Sequence, residues 1–273
     1  MENVYNLKRA EGASLDYIHV LVTPDSAACS KLQQKPGPAF TKVRCLHDEE
    51  VFGGRPSIDD VQALLRAKGP HSRSKGAFWY FQQYLKLGAI ALGAGGLGEH
   101  VRLSDGETVT QRNTASWFSG NGSLVYRNCG DNGDGHNGER YGNLYHRATG
   151  KALYGSSHVV SHGQSVSRTL ASSLIAALSP PNTSDAAPNA WVLHSLGLLC
   201  DEAAITGFSE YWYLFSHAVE RYPANITLAA GRACHRLEVR WAGARAKCDR
   251  PTSHAGVDYV ILEDHLSARH PGH

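Results

Sequence analysis

The stretch WVLHSLGLLCDEAAITGFSEYWYLFSHAVERY, residues 191–222, predicts the helical centre of the fold. It indicates either one long helix or two helices with a break near Gly207, and Pro223 ends the pattern because proline cannot continue a helix. Truncating a buried tryptophan costs about 3–5 kcal/mol, so Trp212→Ala is expected to abolish folding or assembly. Six large side chains should be buried in the core or in a subunit interface: Trp191, Leu198, Ile205, Tyr211, Trp212 and Phe215.

The residues that precede this centre have mainly strand character. Residues 14–24 alternate, are rich in β-branched side chains and end at Pro24, which is typical of a strand. Residues 40–46 predict a second strand, and residues 100–112 predict a hairpin that turns at Asp105 and Gly106. Further short strands are predicted within residues 123–129 and 139–161.

Two helices and a set of late strands complete the pattern. Residues 57–69 have a Ser57 cap, acidic residues in the first turn and a closing Gly69, so both ends of this helix are marked. Residues 165–178 predict another helix, and residues 179–190 form a loop with three prolines. After Pro223, strand character returns in ITLAAG, HRLEVRW and DYVILEDH.

This order of strands, helices and strands lacks regular βαβ alternation. It predicts an α+β fold, an antiparallel β-sandwich flanked by helices. We expect a single domain over residues 1–273, because only one loop has the composition of a linker. Its expected parts are an N-terminal arm (1–13), a mainly β region (14–161), a helical layer (165–222) and C-terminal strands (226–265).

Composition argues against several classes of protein. The 273 residues carry a formal net charge of +2, without the basic field of a nucleic-acid-binding protein, so no direct nucleic-acid binding is expected. No apolar stretch approaches the 18 residues of a membrane span, so no membrane partner is expected either. The N-terminus lacks the apolar core of a signal peptide, and the six cysteines are therefore expected to be reduced.

The glycine-rich stretch NCGDNGDGHNGERYG, residues 128–142, poses a choice between an ion site and a sharp turn. With Gly133 at the sixth position of a calcium loop, Glu139 falls at the twelfth, but the third position is Gly130, which has no side-chain ligand. Asn, Asp and Gly also tolerate the positive φ of tight turns. We therefore expect a turn and no metal site. His158 and His162 likewise lack the glutamate of a zinc-protease motif.

The stretch GAGGLG, residues 93–98, matches the glycine pattern of dinucleotide-binding loops. Such a loop needs a following helix and an acid about twenty residues on, whereas residues 113–118 contain no acid. A glycine-rich bend between strands is the preferred interpretation. A nucleotide-dependent enzyme is the alternative, and it would require a helix that begins at Gly98. No cofactor is predicted, and cofactor-binding residues stay unknown.

Residues 193–197, LHSLG, resemble the serine elbow of lipases, although Leu193 replaces the first glycine of that motif. A triad would need an acid and a histidine later in the chain. The alternative hypothesis is thus an esterase-like serine hydrolase with Ser195, His254 and Asp258 as catalytic residues. Asp249 and His265 are further candidates for the acid and the histidine. The preferred interpretation is a helical serine that faces solvent, with no catalytic residues.

Three local features are similar to the cypovirus polyhedrins, the proteins that form crystals around insect virus particles. They are the early strand DYIHVLVTPDS, the stretch GERYGNLYHR (138–147) that leads towards GSSHVVSHG, and a late helical stretch with Cys200-Asp201, Tyr211-Trp212 and His217. The resemblance implies a β-sandwich flanked by helices, a trimeric building block and an N-terminal arm that links neighbours. It also implies nucleoside triphosphates bound as lattice ligands.

The function expected from the sequence is structural rather than enzymatic. The chain should self-assemble as a homotrimer packed into the crystalline matrix of a viral occlusion body, with virus particles as its other partner. Its expected location is the cytoplasm of the infected host cell. Twelve tyrosines and nine lysines change charge near their pKa values of about 10, so the matrix should dissolve at high pH.

Overall fold

The fold is given by a computed structural model and combines helices with strands, as expected for an α+β protein. Seven α-helices lie in the described part of the chain: α1 Asp48–Phe52, α2 Ile58–Ala67, α3 Ala77–Leu92, α4 His136–Thr149, α5 Arg168–Leu178, α6 Ala190–Gly197 and α7 Glu210–Arg221. The structure describes residues 18–22, 31, 33–34, 43–68, 76–104, 108–110, 123–128, 136–154, 163–181, 189–199, 207–232, 234–238 and 259–263.

The described strands form small sheets of two or three members, and no large sandwich is seen among them. The pairs β1–β2 and β5–β7 are parallel, and the pair β3–β6 is antiparallel. In the remaining sheet, β9 pairs antiparallel with β4 and parallel with β8. The strands are β1 Ile18–Val22, β2 Val43–His47, β3 His100–Ser104, β4 Thr108–Thr110, β5 Leu124–Asn128, β6 Gly163–Ser167, β7 Ile226–Arg232, β8 Cys234–Glu238 and β9 Tyr259–Glu263.

The hairpin predicted over residues 100–112 is wrong in its pairing. Strand β3 pairs with β6, which lies some sixty residues later, and β4 pairs with β9. The strands themselves were correctly located, but their partners come from distant parts of the sequence. The turn residues Asp105 and Gly106 lie outside the described residues.

Helix α3 is the aromatic run that precedes the glycines. Every residue from Gln83 to Ile90 is buried, including Lys86, so the helix is enclosed by its neighbours. Gly88 permits one of these contacts, because a Cβ at that position would lie 2.7 Å from the ring of Phe52 in α1. The helix ends at Gly93, whose left-handed φ of 63° suits a residue without a side chain.

The stretch 191–222 forms two helices, α6 and α7, which confirms the predicted break rather than one continuous helix. Gly207 lies in the connection and is buried, and α7 ends at Arg221, before Pro223. The predicted core residues Trp191, Tyr211, Trp212 and Phe215 are buried, and Leu198 is half-buried. Ile205 lies outside the described residues.

Helix α2 matches its prediction closely. The Ser57 hydroxyl accepts a hydrogen bond from the backbone N–H of Asp60, whose carboxylate accepts one from the Ser57 N–H in return. Val61 and Leu65 form the buried stripe of this amphipathic helix. The helix ends at Ala67 with Lys68 as its cap, and Gly69 lies outside the described residues.

The strand prediction for residues 139–161 is wrong for residues 139–149, which lie in helix α4, whereas residues 155–161 lie outside the described residues. The buried residues Leu144 and Tyr145 and the half-buried Tyr141 and Ala148 recur at helical spacing, so one face packs on the core. The predicted helix 165–178 begins later, at Arg168, because residues 163–167 pair as β6. Residues 48–50 form the acidic first turn of α1.

The expectation of reduced cysteines is wrong for Cys45, which is disulfide-bonded. This residue lies in β2, beside β1. The division of the chain into a single domain stays a prediction. Within the described residues, no helix has the length and apolar composition needed to cross a membrane.

Candidate functional site

Ser195, the serine of the alternative hydrolase hypothesis, lies in α6 and is completely buried. Its Oγ lies 3.1 Å from the hydroxyl oxygen of Tyr84 and 3.1 Å from the carbonyl oxygen of Val192. The expectation of a solvent-facing serine is therefore wrong, because α6 packs against α2 and α5 as well as the ring of Tyr84. Its proposed partners His254 and Asp258, like Asp249 and His265, lie outside the described residues.

The glycines of residues 93–98 connect a helix to a strand. Helix α3 precedes them and β3 begins at His100, so no helix begins at Gly98 and the order is the reverse of a dinucleotide-binding loop. The preferred interpretation as a bend between two strands is wrong, because the element before the glycines is a helix and not a strand. Two arginines hold this turn: Arg44 donates to the Gly95 carbonyl at 3.0 Å, and Arg168 donates to the Leu97 carbonyl.

Residues 129–135 of the predicted turn lie outside the described residues, and residues 136–142 begin helix α4 instead of a turn. Nothing is described of the Glu139 side chain, and His158 and His162 also lie outside the described part. Among the side chains that are described, no group of three or more His, Cys, Asp or Glu residues could hold a metal ion. That this stretch binds no calcium stays a prediction.

A buried ion pair joins the two most enclosed helices. The Nζ of Lys86 in α3 lies 2.7 Å from Oε1 of Glu210, the first residue of α7. The Lys86 ammonium also lies 5.3 Å from the centre of the Tyr211 ring. With its amide nitrogen turned towards α7, Gln83 donates to the Phe208 carbonyl and to Oε2 of Glu210. Both charges are thus bonded where water is excluded, as burial requires.

A serine and a histidine meet where α5 and α7 pack together. The Oγ of Ser173 lies 2.9 Å from Nε2 of His217. Ser173 is half-buried, whereas His217 is only 2% exposed. Helix α5 is held at its start by Ser167, which caps the Leu170 N–H at 3.1 Å. Contacts between α5 and α7 therefore fix the positions of both groups.

Burial lowers the pKa of His217, and the positive charge of Arg221 lowers it further, while Glu220 opposes both. Each effect has a simple cause, since burial and a nearby cation both disfavour the charged imidazolium. The ring is therefore neutral near pH 7, and a neutral imidazole can accept a proton at Nε2. A serine hydroxyl bonded to a neutral imidazole is the arrangement of a nucleophile and its general base.

A cavity of about 180 Å³ is lined by residues from the start of α5 and the end of α7, and neither Ser173 nor His217 is among its lining residues. Its wall includes Thr169 and Leu170 of α5, one helical turn before Ser173, and Ala218, which follows His217. Glu99 and Tyr222 also line it. The Glu99 carboxylate accepts a hydrogen bond from the Thr169 N–H at 3.2 Å, and so the start of α5 is already occupied by a carboxylate.

Neither Ser173 nor His217 was singled out as a catalytic candidate from the sequence. They are 44 residues apart, and each lies in a helical pattern typical of core packing. His217 appeared only as part of the stretch that resembles polyhedrins. No local motif connects the two residues, because only the packing of α5 on α7 brings them together.

Aromatic side chains fill the space between α3, α4 and α7. Tyr84 stacks on Phe208 with ring centres 4.3 Å apart, and Tyr213 packs edge-on against both Phe208 and Tyr145. Burial raises the pKa of Tyr84, of Tyr145 and of Tyr213 above the ordinary value for a phenol. Burial also raises the pKa of Tyr126 in β5. Ionisation of any of these groups opposes the fold.

Comparison with known proteins does not place the chain in a family. No protein-family model matches the chain, and no curated protein does. The function proposed below therefore rests on the contacts of the described residues and on the features of the sequence.

Proposed function

We propose that the chain is a structural protein that self-assembles into the crystalline matrix of a viral occlusion body and is released at high pH. The observation that carries this proposal is the small size of the sheets. Each sheet formed by the described strands has only two or three members, and a two-stranded sheet is marginally stable by itself. Edge strands offer N–H and C=O groups to another chain. Strands from neighbouring copies would extend these small sheets, whose pairs are both parallel and antiparallel, into a sandwich flanked by helices.

Exposed apolar side chains support the same proposal. Phe78 and Leu92, at the two ends of α3, are 55% and 56% exposed, although the middle of that helix is enclosed. Tyr154 and Leu228 are also more than half exposed. Each of these residues would bury apolar area against a neighbour in a dense particle, at about 25 cal/mol per Å² removed from water.

The buried tyrosines support release at high pH. Their pKa values are raised by burial above the value of about 10 that applies in an unfolded chain. The folded state therefore retains protons that the unfolded state has lost above pH about 10. The free energy of unfolding is unaffected by these groups below that pH and falls as the pH rises beyond it.

Further elements of this proposal come from the resemblance to cypovirus polyhedrins. They are a homotrimeric building block, virus particles as a second partner, nucleoside triphosphates as lattice ligands, and a location in the cytoplasm of the infected cell. A hydrolase that uses Ser195 is not favoured, because its fully buried hydroxyl has no route to a substrate. The chain is proposed to act in assembly and not primarily as an enzyme.

The size distribution of the full chain at pH 7 tests the proposal. We expect particles of micrometre size by light scattering and electron microscopy, and a sharp loss of turbidity above about pH 10 at fixed ionic strength. Phe78→Ser combined with Leu92→Ser should slow particle formation. Gln82→Ser is a matched control, because Gln82 is an exposed residue of the same helix. A chain that stays monomeric at high concentration at pH 7 would overturn the proposal.

A further inference from the structure

We propose that Ser173 is a nucleophile with His217 as its general base, and that the chain transfers short acyl groups from activated esters. The inference concerns an activity separate from assembly, and it starts from the 2.9 Å distance between Ser173 Oγ and His217 Nε2. That distance lies within the range for a serine bonded to its base. Packing of α5 against α7 maintains it.

His217 has the protonation state that a base requires. Its pKa is lowered by burial first and by Arg221 second, and Glu220 acts in the opposite direction. The imidazole is thus neutral near pH 7, with a lone pair on one of its nitrogens. When that nitrogen is Nε2, the Ser173 hydroxyl donates to it, and its proton can move along an existing hydrogen bond.

Ser173 differs in its environment from its neighbour Ser172. The hydroxyl of Ser172 is exposed and donates to the carbonyl of Ala91 at 3.2 Å, so it has no base to accept its proton. Ser173 is half-buried and its bond runs to an imidazole. Two adjacent serines on one helix therefore provide an internal comparison of a hydroxyl bonded to an imidazole and a hydroxyl bonded to a backbone carbonyl.

The cavity at the start of α5, which neither Ser173 nor His217 lines, offers room for a small group. At about 180 Å³, with Thr169, Leu170 and Ala218 in its wall, it lies about one helical turn from Ser173. Pockets for drug-sized ligands have volumes of about 300–1,000 Å³, so this one suits an acetyl or butyryl group. The mixture of apolar and polar lining residues fits a short acyl chain attached to a polar ester carbonyl.

The chemical step balances without a cofactor. A bond forms between Ser173 Oγ and the ester carbonyl carbon, and the Ser173 proton moves to Nε2 of His217. The bond between that carbon and the leaving oxygen then breaks, and the imidazolium returns the proton to the departing alcohol. Water, with His217 again as its base, releases the carboxylic acid and restores the serine.

An alkyl fluorophosphonate tests this pair directly. Attack by Ser173 Oγ on phosphorus expels fluoride and leaves a stable adduct whose position is found by peptide mass spectrometry. We expect an adduct at Ser173 and none at Ser172 in the native full chain. Ser173→Ala should abolish labelling, and Ser172→Ala, the matched control, should leave its rate unchanged.

The role of His217 is read from the rate of labelling and of nitrophenyl acetate hydrolysis. His217→Gln should slow both about 100-fold or more, as expected for loss of a general base. Three results would each overturn the proposal. They are equal labelling of Ser172 and Ser173, no labelling of Ser173 in the native chain, and full reactivity of a folded His217→Gln variant. If that variant does not fold, the adduct map of the unmodified chain alone decides. This result is independent of whether the chain forms particles.

Discussion

Helices α2 and α7 are similar in length, with ten and twelve residues, but they are stabilised in different ways. Helix α2 buries only Val61 and Leu65, and its start is held by a reciprocal pair of hydrogen bonds within its own first turn. Helix α7 buries every residue from Glu210 to Ala218, including charged and polar ones. The polar interactions at the start of α2 are therefore local, whereas the buried polar groups of α7 depend on partners from other elements.

The partners of α7 come from distant parts of the chain. Lys86 of α3 neutralises Glu210, and Ser173 of α5 bonds to His217. Gln164 of β6 donates to the Tyr211 carbonyl at 3.3 Å. Because these groups are buried, each lost partner removes a hydrogen bond that water does not readily replace. Substitutions around α7 should therefore cost more than substitutions around α2.

The largest effect is expected from removing one member of the buried ion pair. Lys86→Met retains much of the side-chain volume but leaves the Glu210 carboxylate without its cation, which should reduce the free energy of unfolding by about 3–5 kcal/mol. Urea unfolding followed by tryptophan fluorescence measures this cost. The double variant Lys86→Met, Glu210→Leu should recover much of the loss, because it removes both charges. A single variant as stable as the original chain would show that α7 does not depend on this partner.

The same difference explains what could be predicted from the sequence. The start of α2 was located because its cap, its acidic first turn and its apolar stripe are all local signals. The break near Gly207 was also found, since glycine interrupts a helical pattern. Ser195 was placed on the wrong side, because the exposed face of α6 carries the apolar Leu193, so apolar periodicity does not mark which face meets solvent. The pair Ser173 and His217 was not found, because it exists only through tertiary packing.

An intermediate effect is expected at Gly88, on the other enclosed helix, α3. In Gly88→Ala the new methyl group would lie 2.7 Å from the Phe52 ring and 3.1 Å from Val51. Overpacking of this kind costs about 1–3 kcal/mol, which outweighs the gain of about 1 kcal/mol in helix propensity. The Phe52 ring has little freedom to move, since it is buried and packs edge-on against Phe81.

Gly142→Ala provides the control for Gly88→Ala. Gly142 lies within α4, and a methyl group there meets no atom within 4 Å. The substitution should raise the free energy of unfolding by about 0.5–1 kcal/mol, because only the propensity gain applies. Opposite signs for the two substitutions in thermal or urea unfolding are the expected result. Stabilisation by both would mean that α1 does not pack closely on α3.

The smallest effect is expected at the start of α2, where all the interactions are local and close to water. Ser57→Ala removes the hydroxyl that accepts from the Asp60 N–H at 3.2 Å and should cost about 1 kcal/mol. Ser57→Gly should reduce the free energy of unfolding by only about a few tenths of a kcal/mol, since glycine is itself a tolerated cap. The Asp60 pKa is lowered first by the backbone N–H of Ser57 and then by its hydroxyl. Ser57→Ala should therefore raise this pKa only part of the way to its ordinary value, as measured by NMR titration of the carboxyl. A cost as large as that of Lys86→Met would contradict the view that α2 is stabilised locally and α7 by distant partners.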